Sequence, residues 1–241
     1  MSVVYAWDFT ASNGDPNVPE SLHYVDTDPN HLNPYERSTL ITGKILQSLD
    51  HDQKYQVFAF GAKTKLPNGR WGPMPNHCIR LTAPGADADG VDGVHQLYRN
   101  EIHKYMLSGP TCFAPIIREV THFALENAGD NSDPTNLKYT VFVIITDGNI
   151  VDIDDTKAAI VAASKAPLSI IIIGVGADRE VDMDRPTADH FAQLRMLDSD
   201  GTLLSYNDQV AERDIVQFVP FETTIGLGED NFAQELQAEV S

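Results

Sequence analysis

In the opening segment VVYAWDFTASNG, Asp8, Thr10 and Ser12 place one carboxylate and two hydroxyls at alternate positions. Side chains at i, i+2 and i+4 of an extended segment share a face, so the three oxygens can be offered to one point. Asp147 follows the apolar run VFVIIT and precedes a glycine, while Thr111 stands in SGPTCFAP just ahead of a predicted helix. Two carboxylates and three neutral hydroxyls form an all-oxygen set, which suits a hard divalent cation. Mg²⁺ takes six oxygens and readily keeps waters, whereas Ca²⁺ usually recruits more carboxylate or carbonyl oxygens. Mg²⁺ is therefore the expected ion, with Mn²⁺ or Ca²⁺ as alternatives. Two aspartates only neutralise such an ion, so an incoming carboxylate is still attracted to it. The spacing D-x-T-x-S admits a second reading, a turn built from Asx and hydroxyl hydrogen bonds.

The elements that must position these residues are legible in the hydrophobic pattern. Strands are predicted at Val3–Trp7, Tyr55–Phe60, Tyr139–Thr146 and Leu168–Val175, with a short one at Thr202–Ser205. YTVFVIIT and LSIIIIGV are continuous β-branched runs, the mark of parallel strands covered on both faces. Helices fall between them. Asn33 caps the first, Pro34 fits its first turn, and Glu36 completes a capping box. Ile41, Ile45 and Leu49 then share a face that is expected to meet the core. Val91, Val94, Tyr98, Ile102 and Tyr105 make a second stripe, expected to run on until Gly109-Pro110. Phe113, Ile117, Val120 and Ala124 make a third, with Pro115 in its opening turn. A fourth helix is expected over about Asp154 to Ala166, stopped by Pro167. The turn-rich segments KTKLPNGRWGPMPNHC and TAPGADADG read as loops with room for an edge hairpin. Alternation of strand and helix predicts an α/β fold: a doubly wound, mostly parallel sheet flanked by helices. In such sheets ligands sit beyond the carboxyl ends of the strands, where Asp8 and Asp147 fall.

The chain has 241 residues, 35 acidic against 17 basic side chains, and a formal net charge of −18. That charge excludes nucleic acid and unaided binding to an anionic membrane as expected partners. Cys78 and Cys112 are far apart and in no CxxC pattern, which predicts reduced thiols and a cytoplasmic location. No apolar run reaches the ~18 residues of a membrane span, and no signal peptide is visible at the N-terminus.

Other motifs carry less. GVGADR lacks the third glycine of a dinucleotide loop, and no P-loop occurs. The eight histidines show no metal-ligand spacing; His95 and His103 read as solvated or partly buried helix residues. Cys112 reads as a small packing residue in preference to a reactive thiolate. DREVDMDRPTAD lacks the spacing and glycine of a calcium loop and reads as a solvated segment. No general base or phosphate cradle accompanies the oxygen set, so no enzyme activity is expected.

DFTASNG, ESLHY, NPYE, FAFGAK, SGPTCFAPII, VIITDG, AIVAASKAPLSIIIIGVG and ERDIVQFVPF, in this order, closely resemble the von Willebrand factor A (vWA) domain of the copines. The resemblance covers nearly the whole chain, from about Val3 to about Glu239. It implies a vWA domain over residues 1–225, with 226–241 as a linker and C-terminal helix of the same domain. It also implies a metal-ion-dependent adhesion site, D-x-S/T-x-S with a distant Thr and a distant Asp. Those positions fall on Asp8, Thr10, Ser12, Thr111 and Asp147. The second position is more often serine in the wider superfamily; Thr10 keeps the hydroxyl. Copines carry two C2 domains that give calcium-dependent phospholipid binding, and none is present here. The resemblance therefore implies an isolated A domain that recognises intracellular proteins, through an acidic side chain at the metal, and binds no membrane alone. The copine-like RING ubiquitin ligases, whose related domain recruits substrates, are the alternative; ERDIVQFVPF favours copines proper.

Overall fold

Strand β1 (Ser2–Asp8) runs through the middle of a mixed sheet, with β2 (Lys54–Phe60) on one side and β7 (Thr140–Thr146) on the other. The structure, a computed structural model, describes residues 1–50, 52–83, 85–129, 138–148, 150–176, 190–198 and 202–237. Beyond β7 lie β8 (Leu168–Gly174) and β11 (Val216–Pro220), and every pairing from β2 to β11 is parallel. Two short strands, β4 (Ile79–Arg80) and β5 (Ala88–Asp89), each pair antiparallel with β2; β4 lies just past KTKLPNGRWGPMPNHC and β5 within TAPGADADG, so that edge gains two short strands in place of a hairpin. A separate two-stranded piece joins β3 (Ala62–Lys63) to β6 (Met106–Leu107).

Alternate residues of β1 enter opposite cores, as a strand's period of two requires. Val4 and Ala6 join Phe58, Phe142 and Ile172 beneath α3 (Ala114–Glu126) and α4 (Ile153–Ala163). Val3, Tyr5 and Trp7 join Val57, Val143 and Ile171 beneath α1 (Pro34–Leu46) and α2 (Gly90–Glu101). A short α5 (Ala192–Arg195) covers the first face with Leu194. On the second face, α6 (Phe221–Gly226) and α7 (Glu229–Gln237) contribute Phe221, Phe232 and Leu236. Helices on both faces of a mostly parallel sheet are the predicted α/β architecture.

Helix α1 starts as its sequence demands. Asn33 accepts from Glu36 N–H at 3.0 Å and Glu36 returns a bond to Asn33 N–H at 3.0 Å, a complete capping box. Its buried face differs from expectation. Ile41, Ile45 and Leu49 are only half-buried, while Tyr35, Ser38, Thr39, Thr42, Gly43 and Leu46 lie deepest. The reason is close approach: a Cβ on Gly43 would stand 1.6 Å from Val91 Cγ2, and Thr39 Oγ1 accepts the buried Trp7 indole N–H at 3.1 Å. Small and hydroxyl side chains let α1 press onto the sheet and α2, so the isoleucines reach only the margin.

Three boundaries also move. Helix α2 ends at Glu101 and passes through a tight turn at Ile102–Lys104, well before Gly109-Pro110; Ile102 still reaches the core. Helix α4 stops at Ala163. The strand expected at Thr202–Ser205 is displaced to β9 (Ser205–Tyr206), which pairs with β10 (Gln209–Val210) through Asn207 and Asp208 at positive φ. Such a two-residue hairpin turn fixes the register and pulls the strand toward itself. Strand β11 was not anticipated from periodicity. Its five residues are interrupted by Gln217 and closed by Pro220, which an edge strand tolerates. DREVDMDRPTAD, the ADR of GVGADR and the chain end at Glu239 lie outside the described residues.

Candidate functional site

The chain turns back on itself at β1, which feeds β2 on one side and abuts β7 on the other. This reversal opens a crevice at the carboxyl ends of the strands. Asp8 closes β1, Asp147 follows the last residue of β7, and Thr111 lies in the loop before α3. A parallel bridge between Thr10 and Ser108 carries the Thr111 loop alongside the exit of β1.

The oxygens meet. Thr10 Oγ1 and Ser12 Oγ are 2.9 Å apart, and Ser12 Oγ donates to Asp147 Oδ1 at 3.1 Å. Thr111 Oγ1 donates to Thr10 Oγ1 at 3.3 Å. Asp8 accepts from Thr10 N–H at 3.0 Å and from Thr146 Oγ1 at 2.6 Å. The route differs from the expected extended segment: after Thr10 the backbone makes a tight turn over Ala11–Asn13. The Asx-type bond from Thr10 N–H to Asp8 belongs to the turn reading of the motif. That turn is what swings Ser12 toward Asp147, so the two readings describe one arrangement.

Asp8, Thr10, Thr111 and Asp147 are buried, while Ser12 is exposed and faces the opening. Burial first, and then the nearby Asp147 charge, push the Asp8 carboxyl up to about 7. Two carboxylates thus share a buried pocket with hydroxyls that are themselves neutral. Among the described residues no group of three or more His, Cys, Asp or Glu is placed to hold a metal ion, so a cation here would lean on hydroxyl oxygens as well. The donor set fits a hard divalent ion: oxygen throughout, two formal negative charges, and an accessible rim at Ser12.

A supporting layer escaped the sequence reading. His23, fully buried, sits with Nε2 2.7 Å from the Asp8 carbonyl and Nδ1 2.7 Å from Tyr98 Oη, and it stacks on Tyr35 at 4.0 Å. Since a carbonyl only accepts, Nε2 carries the proton. Tyr35 Oη donates to Asn13 Oδ1 at 2.7 Å, and Asn13 in turn donates to the Asp8 carbonyl at 3.2 Å. On the other side, Asp152 accepts from Phe113 N–H at 3.1 Å and Ala114 N–H at 2.9 Å, and Val151 N–H reaches the Thr111 carbonyl at 3.0 Å. The loops bearing Thr111 and Asp147 are thereby tied together. His190 Nε2 lies 2.6 Å from the Asp147 carbonyl. ESLHY contains His23, but no spacing in it announces a partner on β1. Gly61 matters locally: at φ +81° it lets the end of β2 pass Thr10, where a Cβ would stand 2.2 Å from Thr10 Cγ2.

Cys112 opens toward the same loop, yet burial and then Asp152 and Asp155 push its thiol up to about 11. Partly buried, it is held away from the thiolate form. His95 bonds Glu36 at 2.8 Å and is partly buried, and His103 is exposed.

Comparison with known proteins settles the lineage. The copine family model matches residues 21–241. The chain belongs to the copine family. Copine relatives include BONZAI 1 of Arabidopsis thaliana, 37% identical over all of this chain, and Copine-C of Dictyostelium discoideum, 38% identical over 94% of it. The chain spans 38% of the length of each of these relatives. Among solved structures, proximal thread matrix protein 1 from the mussel byssus, solved with a zinc-occupied MIDAS motif, superposes at a TM-score of 0.51. At 10% identity over 97% of this chain and 48% of that one, the likeness is one of fold. The copine chain described here therefore has a vWA-like α/β fold with the candidate oxygens at its strand ends.

Proposed function

We propose that this copine-family domain is a metal-dependent protein-interaction module and not an enzyme. Asp8, Thr10, Ser12, Thr111 and Asp147 would hold one divalent cation, Mg²⁺ in the first instance and Mn²⁺ or Ca²⁺ as alternatives. When bound, that cation supplies a Lewis-acidic docking point for an acidic side chain of an intracellular partner protein. The observation that carries the reading is the link from Thr111 through Thr10 and Ser12 to Asp147, which gathers residues from three separate loops at the mouth of the crevice.

The chain's own residues prepare the site. Thr146 and the Thr10 N–H hold the Asp8 carboxylate in place from below. The His23 and Asn13 side chains fix its carbonyl, so Asp8 is restrained at both ends. Asp152 anchors the start of α3 and with it the position of Thr111. Preorganisation of this kind lowers the ordering cost of binding. Where a copine carries C2 domains, those would bring such a module to phospholipid in the presence of calcium, while the domain itself would engage protein.

Calorimetric titration of Mg²⁺ into the metal-free domain tests the reading. Single-site binding that disappears in Asp8→Ala or Thr111→Ala, with the circular dichroism of both variants unchanged, is the expected result. Equal binding by parent and variants would remove the site assignment.

A further inference from the structure

Between Asp52 and Asp87 the chain carries Lys54, Lys63, Lys65, Arg70 and Arg80 and not one acidic residue, in a protein of net charge −18. The fold puts part of this segment beside the candidate site. β3 pairs with β6, Ser108 N–H bonds the Gly61 carbonyl, and Gly61 itself abuts Thr10. From β3 the chain forms a small hairpin closed by the Lys65–Trp71 bridge and by Leu66 N–H on the Arg70 carbonyl at 2.8 Å.

Between this hairpin and the Ala11–Asn17 loop runs a groove of about 420 Å³, lined by Trp71, Tyr105, Met106, Leu107, His103 and Asp15 among others. Its floor is aromatic and aliphatic. Its hairpin side carries cations at the rim: Lys65 Nζ lies 5.0 Å above the Trp71 ring, and Lys63 is paired in register with Met106, so each shares a face with a groove-lining residue. Among the described residues neither Lys63 nor Lys65 is in an ion pair. The groove's own acid, Asp15, lies on the opposite, Ala11–Asn17 side, where Asn17 N–H at 2.9 Å and the Asn17 side chain at 2.7 Å hold it and favour its ionised form. Leu66 and Met74 on the same hairpin loop are exposed, Met74 at 74%.

We infer that this groove docks an acidic segment of a protein partner, with a bulky apolar side chain seated against Trp71 and Tyr105 and its carboxylates facing Lys63 and Lys65. The inference rests on the protein-interaction reading above and deepens it by naming the partner's chemistry. Charge complementarity chooses the occupant. The molecule's overall field repels anions, and the two rim lysines offset it on the hairpin side, which selects a short acidic segment. The apolar floor supplies the anchor that a uniformly charged polymer lacks, and aromatic pockets of this kind hold most of the energy of an interface.

Trp71 is also its own reporter, because the chain's other tryptophan, Trp7, is fully buried. The probe is a short aspartate- and glutamate-rich peptide with a central phenylalanine, titrated in EDTA so that no cation takes part. Controls are a lysine-rich counterpart and a phenylalanine-to-glycine version. The acidic phenylalanine peptide should shift Trp71 emission and bind about tenfold tighter than either control, with affinity falling as salt rises. K63E/K65E, shown folded by circular dichroism, should weaken it by about tenfold or more. Equal binding by the lysine peptide or by the glycine version, an unaffected K63E/K65E variant, or displacement of the peptide by anionic vesicles would each overturn the groove. Mg²⁺ binding without peptide binding sinks this inference alone. Peptide binding in EDTA by a domain that takes up no Mg²⁺ upholds the groove and sinks the metal reading alone.

Discussion

Ser12 Oγ donates to Asp147 Oδ1 across 3.1 Å although the two residues are 135 positions apart in sequence. This bond joins the exit of β1 to the exit of β7, the two strands whose pairing in register from Ser2↔Thr140 to Trp7↔Ile145 sets the spacing of the crevice. Every residue of the candidate site is fixed to one of these two exits or to the α3 loop between them. The site is therefore a property of the sheet's topology, expressed through a few hydroxyls.

Asp8→Asn tests the electrostatics of that arrangement. Burial and the Asp147 charge disfavour an ionised Asp8, so the neutral amide should raise the melting temperature of the metal-free protein, by roughly 2–4 °C per kcal/mol relieved in a chain of this size. The same variant should lose the rise in melting temperature that saturating Mg²⁺ gives the parent, which is about 2.7 kcal/mol of stabilisation at a hundredfold excess over Kd. Differential scanning fluorimetry with EDTA and with Mg²⁺ reads both effects. A D8N protein less stable than the parent in EDTA would contradict the buried repulsion.

Glu36 makes the opposite electrostatic case. It is fully buried at the start of α1; burial pushes its carboxyl up, but the His95 bond, the Asn33 N–H and Arg99 outweigh this and hold it below its ordinary value of 4.5. Arg99 Nη1 lies 2.7 Å and His95 Nε2 2.8 Å from Glu36 Oε1. A depressed folded value means stability that is present above the unfolded carboxylate value and lost as pH falls through the lower folded one. Urea denaturation should show the parent losing stability as pH falls below about 4.5, and Glu36→Gln flattening that slope. At pH 7 the substitution should cost roughly 3 kcal/mol, since it leaves Arg99 without its buried partner.

Gly43→Ala would raise helix propensity by about 1 kcal/mol in an exposed helix. Here the added methyl would collide with Val91 at 1.6 Å, so the substitution should instead destabilise the protein by about 1–3 kcal/mol. Adding Val91→Ala should recover part of the loss. A stabilised G43A protein in chemical denaturation would mean that α1 and α2 are less closely packed than described.

The strands were legible because parallel, doubly covered strands are written as continuous apolar runs: VFVIIT and SIIII admit little else. Asp8, Thr10, Ser12, Thr111 and Asp147 were legible because side-chain type and strand-end position both mark them. The face of α1 was not, since Ile41, Ile45 and Leu49 outrank Ser38, Thr39, Thr42 and Gly43 on any hydrophobicity measure. Only the partner surface, Val91 on α2 and Trp7 on β1, reveals why the small residues face inward. His23 and Asp152 were hidden for a related reason. Each acts on a backbone group distant in sequence, and such bonds leave no periodic trace.

The most direct test is a crystal of the domain soaked in Mn²⁺ and measured at the manganese absorption edge. A single anomalous peak enclosed by the Asp8, Thr10, Ser12, Thr111 and Asp147 side chains is the predicted result. Anomalous density confined to other carboxylates, with this pocket holding none under saturating metal, would contradict the account.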